Sequence, residues 1–99
     1  MDIRARHVQC YLAEWYSPEL NGPQFETAAA RLDDCATAMS AQGSHVQLVM
    51  TLAVPADEVV FGVFDAVSEE CVIQVCAQAG IPPGRLTGAA DARITLPPS

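Results

Sequence analysis

The sequence predicts an α+β domain of order strand, helix, strand, strand, helix, strand. Two stretches with apolar residues at helical spacing end at Gly43 and Gly80, and each lies between apolar runs of strand character. The two middle runs are separated only by Pro55, Ala56, Asp57 and Glu58, a connection short enough to make them antiparallel neighbours.

Each element has its own local cause. His7 to Tyr16, HVQCYLAEWY, is rich in β-branched and aromatic residues and reads as the first strand. Ser17 to Gly22 is a loop. Asn21 is a suitable N-cap, with Pro23 in the first turn and Gln24 completing a capping box. Phe25, Ala28, Ala29, Leu32, Cys35, Ala36 and Met39 then form one helical stripe, while Glu26, Arg31, Asp33 and Asp34 lie off it. Gly43 supplies the left-handed residue that ends the helix. His45 to Val54 is the second strand and Val59 to Ala66 the third. Ser68 caps the second helix, Glu69 and Glu70 suit its positive end, and Cys71, Val72, Val75, Cys76 and Ala79 form its buried face before Gly80 stops it. Pro82, Pro83 and Gly84 turn the chain toward Ala90 to Leu96, the expected fourth strand. The result is one ferredoxin-like βαββαβ domain spanning residues 1–99, with its core at about 7–96.

Right-handed crossovers put both helices on one face of a four-stranded antiparallel sheet. On the second strand Val46, Leu48, Met50, Leu52 and Val54 are expected to point one way and Val49, Thr51 and Ala53 the other. On the third, Val60 and Phe64 oppose Val59, Phe61 and Val63. Both faces are apolar, yet the helices cover only one. A homodimer closed through the open sheet face, of the dimeric α+β barrel type, is therefore expected.

Composition narrows the partners. The 99 residues carry 5 basic and 12 acidic side chains, a formal charge of −7. All five basic residues are Arg and none are adjacent, so neither nucleic acid nor an anionic membrane finds a basic patch. The chain shows no apolar run of membrane-spanning length and no apolar core of a secretory signal, so a cytoplasmic protein is expected. Cys10, Cys35, Cys71 and Cys76 sit within apolar-periodic segments and read as buried free thiols. Cys71 and Cys76 lie about 140° apart around a helix, the wrong arrangement for one shared ion.

The run FGVFDAVSEECVIQVCAQAGIPPGRLT carries Asp65 and Ala66 at a strand end, Ser68 as a cap, Ala77 with Gly80 late in the helix, and then Ile81, Pro82 and Arg85. The first strand adds Tyr11, Leu12, Ala13, Glu14 and Trp15. Together these residues resemble a family of small ferredoxin-like proteins, found mainly in bacteria, whose characterised representative binds nickel and forms dimers. The resemblance implies that fold, a dimer and a nickel site on the sheet. It also implies that the family's His on the second strand and Cys on the third fall here at Met50 and Gly62, leaving Glu14. Met and Gly do not replace an imidazole and a thiolate toward a borderline metal, so the site is expected to be lost or altered. Restoring His and Cys at the two positions is expected to raise metal affinity.

Other residues offer sites of their own. Glu14 is a carboxylate in an apolar strand, where it needs a partner: a ligand, or an Arg such as Arg93. Tyr11, Trp15 and Tyr16 are the candidates for lining a ligand cavity with Glu14, and are at least as suited to packing at the dimer interface. His45 and His7, with Glu14, are the alternative metal ligands, against the plainer reading of strand-end histidines. His7 and Cys10 fall on opposite strand faces. No serine has a nucleophile-elbow context and no glycine-rich phosphate loop is present. Two readings of function follow: a divergent non-enzymatic binding or structural dimer, or a dimeric α+β barrel enzyme or binder for a small apolar or aromatic ligand. The second needs a cavity of at least about 300 Å³.

Overall fold

The computed structural model describes residues 9–88. Its elements are β1 (Gln9–Trp15), α1 (Gln24–Ala41), β2 (Val46–Val54), β3 (Val59–Ala66), α2 (Glu69–Gln78) and β4 (Arg85–Thr87). The strands form one antiparallel sheet in the order β2-β3-β1-β4, which is the ferredoxin-like arrangement. The expected strand at Ala90 to Leu96 lies outside the described residues. Among those described, the fourth strand begins directly after the Pro-Pro-Gly turn, at Arg85.

Both helices pack through the stripes that their spacing prescribes. Leu32, Ala36 and Met39 of α1 and Cys71, Val72, Val75 and Cys76 of α2 are buried with Ala79, against Tyr11, Ala13, Trp15, Val60, Phe64 and Ala66 of the central strands. Ser68 caps α2: its Oγ accepts from the Cys71 N–H at 3.3 Å. Gly43 and Gly80 end the helices at φ of 103° and 80°, a region costly for any side chain. Asn21 does not cap α1. It closes a 3-10 turn at Pro18–Leu20 and donates from Nδ2 to the Ser17 carbonyl at 3.3 Å, while α1 starts after Pro23 with no side-chain cap. Proline pre-sets helical φ without needing a bonded N–H, so the start shifts by two residues.

Simple alternation fails at one place. Leu48 pairs with Phe64 but Met50 pairs with Val63, leaving Val49 as a bulge residue. Directly opposed residues share a face, so Val46 and Leu48 join Ala66 and Phe64 under the helices, whereas Thr51 and Ala53 take that side further on. Met50, Leu52 and Val54 turn to the open face with Val63, Phe61 and Val59. The expected single row from Val46 to Val54 is thus split between the two faces.

Candidate functional site

The open face is an array read from strand register. One row runs Arg85, Glu14, Phe61, Leu52 and the next Thr87, Leu12, Val63, Met50; a third places Cys10 beside Asp65 and Gln47. Its centre is apolar and uncovered by the helices, with Met50 41% and Leu52 49% exposed. Its β4 side is polar.

That polar side is built around Glu14. Tyr16 follows two residues on and therefore shares its face; the phenol donates to Glu14 Oε1 at 2.5 Å. Arg85 approaches through Nε, 3.9 Å from Glu14 Oε2. The Tyr16 ring lies across Gly84, where a Cβ would meet it at 2.9 Å, and the Gly84 N–H donates to the Glu14 carbonyl at 2.8 Å. Glycine is what lets the ring lie flat on the turn. The Tyr16 hydroxyl is raised above the usual phenol range, first by its hydrogen bond to Glu14 and then by burial and the carboxylate charge, with Arg85 opposing. Among the described residues the charged partner of Glu14 is Arg85, and the expected Arg93 lies outside them.

Tyr11 and Trp15 do not join this cluster. Both occupy the helix-facing parity of β1 and are 5% and 3% exposed. Tyr11 donates to Gln9 Oε1 at 3.2 Å, and Trp15 Nε1 donates to the Ile81 carbonyl at 2.7 Å, tying the loop after α2 to the sheet. They are packing anchors rather than walls of a cavity on the open face. Of the aromatic candidates it is Tyr16 that joins Glu14, and the residue that sequence reasoning missed is Arg85. The i, i+2 spacing of Glu14 and Tyr16 puts both on one face, whereas in the sequence Arg85 reads as part of the turn after α2 and not as a strand residue beside Glu14.

The metal candidates also separate. His7 lies outside the described residues. His45 precedes β2, and its carbonyl accepts from Val67 N–H at the opposite end of the sheet from Phe61, the neighbour of Glu14. Seven residues divide His45 from Leu52, the β2 residue in Glu14's row, so the two sites stand about 20 Å apart. They cannot ligate one ion within a chain. The positions implied for nickel ligands fare no better: Met50 is on the open face, but Gly62 points into the helix side, where a Cβ would lie 2.9 Å from the Trp15 ring. A thioether and a buried glycine on opposite faces do not fit a nickel site, and restoring His and Cys there would not bring two ligands together.

Asp33, Ser40 and His45 line a groove of about 390 Å³ between α1 and β2. They do not form a nucleophilic triad, because the Ser40 hydroxyl donates to the Val46 carbonyl at 2.6 Å and accepts from the Val46 N–H at 3.0 Å. Cys35, Cys71 and Cys76 are free thiols. Burial pushes the Cys76 thiol up to about 12, with a smaller contribution from Cys35. Among the described residues no helix is long and apolar enough to cross a membrane.

No family model and no curated protein matches the chain. Among solved structures, it is similar to the crystal structure of SCO4226 from Streptomyces coelicolor A3(2), with a TM-score of 0.61 and 15% identity over 88% of this chain and 99% of that one. The likeness extends over nearly the whole of that protein and shows the ferredoxin-like fold.

Proposed function

We propose that the protein is a non-enzymatic binding module that forms a homodimer through its open sheet face and holds a small apolar ligand against that face. The observation that carries this reading is the uncovered apolar centre of the sheet, Leu12, Met50, Leu52, Phe61 and Val63, framed on one side by the Glu14, Tyr16 and Arg85 cluster. An apolar sheet face in water favours a covering partner. A two-fold mate supplies the same face with matching chemistry. The sequence resemblance supports placing the chain as a divergent relative of the nickel-binding family, its metal site replaced by this apolar and polar arrangement.

The test is the solution mass of the purified protein by light scattering. Twice the 10.5 kDa chain mass is the expected result, and a monomer at micromolar concentration would rule the pairing out.

A further inference from the structure

We infer that Arg85 is the anchor for a carboxylate, so that the ligand of the open face is a small acid with an apolar body. This deepens the binding role proposed above and rests on it. Arg85 stands at the end of the row that continues through Glu14 to Phe61 and Leu52, so the guanidinium and the apolar centre share one face. Its side chain is 68% exposed although it contacts Glu14. That contact uses the Nε edge. Guanidinium carries five N–H donors in a rigid fork, and the contact with Glu14 is made at Nε. Among the described residues the remaining donors are left for a planar acceptor, and a carboxylate is the acceptor that matches the fork in two places.

Glu14 and Tyr16 position the anchor. The Glu14 side chain is only 14% exposed and receives the phenol, so it holds Arg85 more than it meets ligand. A hydrocarbon or aryl body then extends over Phe61 and Leu52, the same direction in which apolar surface is open. Glu14 offsets the Arg85 charge locally, which selects against strongly charged ligands such as phosphates and for a single carboxylate beside a large apolar contact.

The experiment uses ¹⁵N-labelled protein titrated with 4-phenylbutyrate and, separately, with its uncharged counterpart 4-phenylbutan-1-ol. The acid is expected to move the amide signals of Leu12, Leu52, Phe61 and Arg85. Arg85→Ala is expected to weaken the acid at least tenfold and leave the alcohol unchanged, and Arg85→Lys to recover only part of the loss. Arg85 is exposed, and the same spectra report whether each variant is folded. Equal binding of acid and alcohol, or an acid affinity unmoved by Arg85→Ala, overturns the anchor and leaves an apolar ligand site standing. Absence of shifts with either compound in a protein that is dimeric means a second copy fills the face, which overturns the inference but not the pairing. Absence of shifts in a monomer removes both.

Discussion

The Trp15 ring lies directly over Gly62 on the neighbouring strand, so close that a Cβ at position 62 would come within 2.9 Å of ring carbon Cζ3. The indole is buried and fixed by its hydrogen bond to Ile81, so it cannot yield cheaply. Gly62→Ala is therefore expected to destabilise the fold by about 2 kcal/mol through overpacking. Urea unfolding measures it, and a change within error would mean the ring shifts freely. The same geometry explains why a cysteine introduced there would enter the core and not the open face.

Leu52 is 49% exposed on the open face, on the outer strand β2. Leu52→Glu should leave the folded monomer within about 0.5 kcal/mol of its stability, as exposed substitutions do, while burying two carboxylates in the paired form. Light scattering on the variant should give a mass near the single chain. A variant that remains dimeric would place the interface elsewhere.

Ser40 Oγ serves both the N–H and the C=O of Val46, a residue 1% exposed. Ser40→Ala leaves both backbone groups to find other partners, at an expected cost of about 1 kcal/mol. Ser68→Ala removes the α2 cap and should cost a similar amount, about 1 kcal/mol. Chemical denaturation of the two single variants checks each.

Cys76 ties stability to alkaline pH. Its folded-state value of about 12 stands above the ordinary 9.0, so the native state holds the proton more tightly than the unfolded chain. The contribution is complete below about pH 9 and is lost as pH rises toward 12, at up to about 1.4 kcal/mol per pH unit. Denaturation series between pH 8 and about 10.5 should show this decline in the native protein and less of it in Cys76→Ala. Parallel curves would assign the decline to other groups.

Much of the fold was legible in local chemistry. Ser68, Gly43, Gly80 and the two apolar stripes each specify a cap, a stop or a buried face without reference to anything distant. Val59 to Ala66 was readable to the residue because polar turn and cap signals bound it. What escaped depended on tertiary pairing. The Val49 bulge leaves no mark in the apolar run Leu48, Val49, Met50, so the parity of Met50 and Leu52 could not be derived from alternation. In the candidate site, Glu14 stood out as a charge in an apolar strand, whereas Arg85 gained meaning only once β4 was laid beside β1. For Tyr11 and Trp15 the sequence leaves pocket and packing open, because an aromatic side chain serves a core as readily as a pocket, and one step of strand parity decides which.

The bulge at Val49 has a bearing on how the protein survives at high concentration. β2 is an outer strand of nine residues without charge or proline, the kind of segment on which further strands stack into fibrils. A displaced residue at Val49 and the hydroxyl of Ser40 clamped on Val46 break the edge into short, mismatched stretches. Straightening β2 by deleting Val49 would offer a continuous template, so that variant is expected to add strands at this edge more readily than the native chain.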